Sequence, residues 1–294
     1  MHLGIFGNPK KAQFHDLLPD LVAYLNARSC GTCLVAEVLS PPLRKVLEDT
    51  CIADLLDVAA KADLFLSFGG DGTMLHLIRA LGKMQKPILG INLGRLGFLT
   101  EVQMDGLYKA IDALLQGNYS VETRMMLQAR EANSASVEMA LNDVVISKQS
   151  EAKLISISIT VGSSFLNRFI ADGVIISTPT GSTAYNLSSG GPVILPGSQS
   201  MVITPICPHL LSIRSVVVPA ESTITIKVET DQDAVLTSFD GSPPRPLSSG
   251  SGIELSRAAL EAQLVRLANY DFARTLRTKL LWSEDLRDRQ KFDI

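Results

Sequence analysis

The chain is predicted to be α/β in class: an N-terminal Rossmann-like parallel sheet domain over residues 1–100, a C-terminal all-β sandwich-like domain over 101–268, and a tail, 269–294, returning to the first domain. Three observations support this. Short apolar runs alternate with helical periodicity up to about residue 100, the mark of a parallel sheet covered on both faces. After Gly117 the segments become short, β-branched and bounded by turns. From Asn269 a charged helical pattern returns around Leu276, Leu280, Leu281 and Trp282.

Leu3-Gly4-Ile5-Phe6 reads as the first strand, ending at Gly7-Asn8-Pro9. A helical pattern follows, with Leu17, Leu18, Leu21, Val22 and Leu25 near one face; Pro19 inside it either interrupts it or starts a second helix. Cys33–Val38 is a second strand, and residues 45–60 carry a mixed helical pattern. Leu64–Phe68 is a strand running into Gly69-Gly70-Asp71-Gly72-Thr73, and Thr73 opens a helix through Leu81. Pro87–Asn92 is a further strand. Ligands of such sheets sit at the carboxyl ends of strands, where both the Gly-Asp-Gly turn and Asn92-Leu93-Gly94-Arg95-Leu96-Gly97 fall. Met104–Leu115 is a linking helix. Strands are then expected over 119–130, 137–147, 153–161, 164–170, 173–177, 213–218, 222–229, 234–239 and 252–256. Lys153–Val161 alternates apolar and polar residues, as a strand with one wet face does.

The chain has 294 residues, 46% hydrophobic and 19% charged, enough for two cores. A net charge of −3 with no basic block argues against nucleic acid as a main partner. No apolar run is long enough to span a bilayer, and residues 1–6 enter a strand directly, so neither membrane nor secretion is expected. Of the four cysteines, Cys30 and Cys33 have ligand-like spacing, but no second pair or nearby His completes a zinc site. They read as a reduced loop pair, and a cytoplasmic location with no protein-held metal is expected.

The Gly69–Thr73 turn has the form of a phosphate cradle. Glycines bare the backbone, and the helix that follows aims unpaired N–H groups at an anion. Asp71 is out of place beside phosphate unless it meets a divalent cation or a hydroxyl about to lose its proton. A plain strand-to-helix turn is the alternative. Arg95 suits a phosphate or an ordinary salt bridge equally. Thr178–Pro192 packs hydroxyls, glycines and Tyr185 into a short span, fit for ribose, phosphate and an aromatic base, or else a turn into a short helix capped by Ser182 or Thr183. Asn142-Asp143 has the groups to hold vicinal hydroxyls, or starts a strand. Asp172-Gly173 and Asp240-Gly241 carry hairpin-turn signals; Asp172 is also a ligand candidate, whereas Asp240 reads as a turn alone. His76 lies one turn into the helix after the cradle, facing a phosphate or simply solvent. No Gly-x-Gly-x-x-Gly fingerprint supports hydride transfer.

Gly69–Thr73, Asn92–Leu99, Leu141-Asn142-Asp143, and Asp172-Gly173 running into Thr178-Pro179-Thr180-Gly181-Ser182-Thr183-Ala184-Tyr185 together resemble the bacterial NAD kinases, in the same order over nearly the whole chain. The first motif is shared with diacylglycerol and sphingosine kinases; the second-domain stretch is far more specific. The resemblance implies an enzyme that phosphorylates the 2′-hydroxyl of the adenosine ribose of NAD, from ATP or polyphosphate, with Mg²⁺ or another divalent cation on the donor. It implies Asp71 as proton acceptor. It implies NAD contacts from Asp71, Gly72, His76, Asn142, Asp143, Lys153, Asp172, Thr183, Ala184, Tyr185, Asn186, Leu187 and Ser188. Gly69, Gly70, Gly72, Thr73 and Arg95 would hold the donor phosphates. It further implies a homodimer or homotetramer, with NAD between the domains and meeting a neighbouring subunit. Ile170, Lys153 and Ser242 depart from residues common in the family, where Arg, Arg or His, and Gln are frequent. A lipid kinase of the diacylglycerol type and a non-catalytic NAD sensor are the rivals.

Overall fold

The chain opens with β1 (His2–Gly7), α1 (Ala12–Asn26), β2 (Gly31–Val35), α2 (Pro41–Val46), β3 (Cys51–Ala53), α3 (Leu55–Lys61), β4 (Leu64–Gly69), α4 (Asp71–Leu81), β5 (Ile88–Asn92), β6 (Val102–Gln103) and α5 (Leu107–Leu115). Every residue of β4 and β5 is buried, as strands covered on both faces must be. The strands pair in parallel in the order β3-β2-β1-β4-β5, with Leu3 beside Leu64 and Phe65 beside Ile88. α1 buries Phe14, Leu18, Leu21, Val22 and Leu25 along one face, each worth roughly 1.5–3 kcal/mol. This computed structural model describes residues 1–282 apart from 48, 95–96, 133–135, 150–153, 231–233, 249 and 269.

The remaining elements are β7 (Tyr119–Glu131), β8 (Val137–Ala140), β9 (Asp143–Ser147), β10 (Ile155–Val161), β11 (Ser164–Ala171), β12 (Gly173–Ser177), α6 (Tyr185–Ser188), β13 (Ser200–Ile206), β14 (Val216–Pro219), β15 (Ile224–Glu229), β16 (Ala234–Phe239), β17 (Arg245–Ser248), β18 (Gly252–Leu267) and α7 (Phe272–Leu280). Two compact units result. One holds Met1–Leu77, Lys86–Glu122 and the chain from Leu264; the other holds Ile78–Gln85 and Thr123–Gln263. Residues 101–122 thus group with the first unit, whereas the expected second domain began at 101. The reason is local: Val102 pairs with Ile91, and α5 buries Leu107, Ala110, Ile111 and Leu114. In the same unit α7 sets Phe272 against Phe98, with ring centroids 6.3 Å apart. Residues 283–294 of the expected tail lie outside the described residues.

The second unit stacks two antiparallel sheets. One runs β14-β13-β12-β9-β16-β17; the other runs β11-β10-β15-β18, with β7 joining β18 to β8. Ile146, Val174, Ile176 and Ile203 from the first meet Ile157, Ile226, Val228 and Ile253 from the second in one core. Alternate burial along β10 is the sandwich pattern expected of a half-wet strand.

Several expectations are corrected. The helical pattern over 45–60 is broken by β3, which pairs Cys51 with Cys33 and places the disulfide there; Cys30 stays free and buried. Side-by-side register on parallel strands, not sequence spacing, selects the partner. Helix α1 runs unbroken through Pro19. The helix after the glycine turn begins at Asp71, not Thr73, because Gly70 O accepts from Met74 N. The strand expected over 137–147 breaks at Leu141-Asn142, and β13 and β17 were not foreseen. Asp172-Gly173 is no hairpin turn: β11 and β12 belong to different sheets, and the pair marks the crossing. A Cβ on Gly173 would lie 2.4 Å from the Ile146 carbonyl oxygen, which leaves room for glycine only. Gly173→Ala is therefore expected to cost about 1–3 kcal/mol, read as a lower urea midpoint of the folded protein.

Candidate active site

The strand-to-helix turn after β4 is built for close approach. None of Gly69, Gly70 and Gly72 has a positive φ. Gly69 is needed because Thr73 Oγ1 would lie 2.1 Å from a Cβ there. Gly70 and Gly72 face open space, with nothing within 4 Å of a Cβ on either. Their bare faces line a cavity of about 620 Å³ together with Asn8, Lys10, Glu37, Thr73 and His76. His76 is held there by stacking on Phe6, ring centroids 5.8 Å apart. The α4 N-terminus adds its unpaired N–H groups. Asn8 and Lys10 were missed in the sequence, although their place at the carboxyl end of β1 is where the strand-end rule would find them; Glu37 carried no sequence signal.

Asp71 opens α4 and turns its carboxylate to the loop after β5. Oδ2 accepts from Phe98 N at 2.7 Å; Oδ1 accepts from Leu99 N at 3.0 Å and Thr100 N at 3.2 Å. Asn92 Nδ2 donates to Thr100 Oγ1 at 3.0 Å, and that hydroxyl lies 3.4 Å from Asp71 Oδ1. Gly97 is the close approach here: a Cβ would sit 1.8 Å from Asp71 Oδ1. A carboxylate has about four lone-pair positions, so Oδ2 keeps one for a ligand hydroxyl. Arg95 lies outside the described residues.

In the second unit three strand ends converge. β9 begins beside the end of β12, pairing Asp143 with Ser177, and beside the end of β16, pairing Val144 with Phe239. Thr178 N donates to Asn142 O at 2.9 Å, and Thr178 Oγ1 donates to Leu141 O at 2.5 Å. A Cβ on Gly181 would lie 2.1 Å from Asn142 O, so the Thr-Pro-Thr-Gly stretch rests directly on the Asn142 turn. The Asn142 side-chain oxygen is buried and has no hydrogen-bond partner. Arg124, 2% exposed, donates to Thr180 Oγ1 at 3.2 Å; no sequence signal marked it.

The other expected ligand residues divide. Tyr185 is 46% exposed, with Ala184, Leu187 and Ser188 also reaching the surface. Thr183 Oγ1 donates to Thr180 O, and neither it nor Ser182 caps α6. Asn186 is fully buried: its amide donates to Ser182 O and Pro192 O and accepts from Thr204 Oγ1 at 2.6 Å. Its side chain thus clasps the loop to itself and ties it to Thr204 on β13. Asp172 is ion-paired with Lys148 at 2.7 Å. Lys153 lies outside the described residues.

Asp240 corrects the expectation of a bare turn. Asp240 and Gly241 have φ of 49° and 66°, and Ser242 N donates to Phe239 O, a type I′ hairpin turn. Its carboxylate accepts from Leu141 N, Asn142 N and Asp143 N at 2.8, 2.7 and 3.2 Å. Burial, foremost, pushes the Asp240 carboxyl above its usual range, against those three N–H donors and the Arg79 guanidinium. Burial and then the charge of Asp240 push Asp143 up to about 7. A carboxyl raised by folding favours the fold below its unfolded value, and that contribution is lost as pH rises through about 7. Asp143→Asn, which cannot ionise, is expected to raise the melting temperature of the ligand-free protein at pH 8 by roughly 2–4 °C relative to wild type. The difference should shrink toward pH 4; a pH series of thermal scans measures it.

The family model for the ATP-NAD kinase N-terminal domain matches residues 3–119, and that for the ATP-NAD kinase C-terminal domain matches 141–267. The chain is 40% identical over 281 residues to the NAD kinase of Geotalea daltonii, covering 93% of this chain and 97% of that one. It is 38% identical over 283 residues to the NAD kinase of Moorella thermoacetica, covering 95% and 88%. Among solved structures, yeast NADH kinase with NADH superposes with a TM-score of 0.86 at 26% identity, covering 97% of this chain and 88% of that one. An NAD kinase from Archaeoglobus fulgidus with ATP has the same fold, with a TM-score of 0.74 at 23% identity, covering 96% and 99%.

Proposed function

The chain belongs to the ATP-NAD kinase family, and from that premise we propose that it moves the terminal phosphoryl group of ATP to the 2′-hydroxyl of the adenosine ribose of NAD, giving NADP. The observation that carries the chemistry is Asp71: a carboxylate at the start of α4, oriented by three backbone N–H groups, beside two glycines whose faces are open. In this assignment the 2′-hydroxyl donates to the spare lone pair of Asp71 Oδ2. The oxygen attacks the terminal phosphorus, its proton passes to the carboxylate late, and ADP leaves. Phosphoryl transfer has a loose transition state, so a plain aspartate is base enough once the hydroxyl is bonding to phosphorus. The N–H groups of the cradle, Thr73 and Lys10 offset the gathered negative charge.

Asn142 and Asp143 are assigned to the dinucleotide, with Tyr185 beside the adenine; the unpartnered Asn142 oxygen and the exposed ring support this. His76 is assigned to the phosphate side, from its place in the cradle cavity. Glu37, a carboxylate lining the cavity, would be the residue to touch a divalent cation carried on the donor phosphates, and that ion would supply charge neutralisation there. Polyphosphate as an alternative donor, assembly as a homodimer or homotetramer, and action in the cytoplasm belong to the same proposal. No helix among the described residues is long and apolar enough to cross a membrane.

Purified protein given NAD, Mg²⁺ and either ATP or polyphosphate should form NADP. Phosphorylation of diacylglycerol instead would make it a lipid kinase, and NAD binding without NADP would make it a sensor. Asp71→Asn should lower turnover by roughly 10²–10⁴-fold while NAD still binds; full turnover in that variant would remove Asp71 from the chemistry.

A further inference from the structure

We propose that Asp240 is a positioning residue for the dinucleotide, holding the Asn142–Asp143 turn in the shape that binds it. This rests on the assignment of Asn142 and Asp143 to NAD made above. The turn between β8 and β9 cannot satisfy its own peptide groups, since neither strand continues through it. Its polar groups are taken from two sides. On the carbonyl side, Leu141 O accepts from Thr178 Oγ1 and Asn142 O accepts from Thr178 N. On the amide side, three successive N–H groups, Leu141, Asn142 and Asp143, all donate to the Asp240 carboxylate. Asp240 N in turn donates to Asp143 O at 3.0 Å. With its backbone satisfied in this way, the turn leaves the Asn142 side-chain oxygen buried without a partner.

The arrangement costs more than a plain hairpin turn requires. The left-handed φ of 49° at Asp240 is what a type I′ turn asks of its first central residue, and an asparagine would meet it as well. Asp240 instead sets a second carboxyl against Asp143, where a neutral side chain would avoid the repulsion. Arg79, on the last turn of α4, donates to Phe239 O and fixes the residue before the turn. Ser242 Oγ accepts from Phe239 N at 3.1 Å and closes the turn from its other end, with no hydrogen bond to residues 141–143. The carboxylate of Asp240 and the hydroxyl of Ser242 therefore separate two tasks: aligning the Asn142 turn, and closing the hairpin.

The test is steady-state kinetics on full-length variants. Asp240→Ala is expected to raise KM for NAD about tenfold or more, with KM for ATP within about twofold of wild type. Asp240→Asn keeps an oxygen for Asn142 N and Asp143 N and should recover part of the loss. Ser242→Ala should leave KM for NAD near the wild-type value. Unchanged KM for NAD in folded Asp240→Ala overturns the proposal, as does an equal rise for ATP and NAD. So does Ser242→Ala matching Asp240→Ala, which would reduce the effect to hairpin stability. Should Asp240→Ala fail to fold, the Asp240→Asn and Ser242→Ala pair decides by the same criteria. Asn142→Ala tests the underlying assignment separately: wild-type NADP formation with unimpaired NAD binding by Asn142→Ala overturns the assignment and this inference together. Weakened binding by Asn142→Ala with a normal Asp240→Ala overturns the inference alone.

Discussion

Peptide N–H groups that leave regular structure need an acceptor, and each unit of this chain answers the need with one carboxylate spanning three successive residues. In the first unit, Asp71 receives the N–H groups of Phe98, Leu99 and Thr100. In the second, Asp240 receives those of Leu141, Asn142 and Asp143. An unpaired buried N–H costs about 1–3 kcal/mol, so removing either carboxylate releases a whole loop rather than a single bond. The second loop carries residues assigned to substrate, and the first orients the proposed base. Rigidity at these places comes from charge-assisted hydrogen bonds together with the burial of Leu99 and Leu141.

The same economy sets the electrostatics of each unit. The cradle has glycine faces and a helix N-terminus, suited to the negative charge that the proposed function brings there, with Lys10 and His76 around it. The end of the sandwich has acids close together instead, and burial keeps Asp143 near neutrality, up to about 7. A carboxyl poised there can donate to a sugar hydroxyl as well as accept from one, which an ordinary aspartate at neutral pH cannot. The sandwich core makes this possible: β12, β9 and β16 are pinned by Val144, Ile146, Val174, Ile176 and Phe239, so their ends meet without freedom to part.

Glycine acts here by size more than by conformational freedom. Gly70 and Gly72 leave open space for a ligand, whereas Gly97 and Gly181 admit another part of the chain to within a distance no Cβ would allow. In the proposed function the first pair leaves room for substrate, whereas the second governs loop packing.

Local pattern alone determined much of this protein. Runs buried on both faces, then alternating ones, specify a parallel sheet followed by a sandwich, because side-chain periodicity depends only on nearby residues. The Gly69–Thr73 turn and the Thr178–Tyr185 stretch are likewise contiguous, so their chemistry is legible where it stands. Tertiary structure decided whatever joins distant segments. Cys33 found Cys51 through strand register, Asn186 turned inward to Thr204, and Asp172 met Lys148. Asp240 passed for a simple turn because its three donors lie nearly a hundred residues earlier in the chain, and no spacing rule reaches across a sheet.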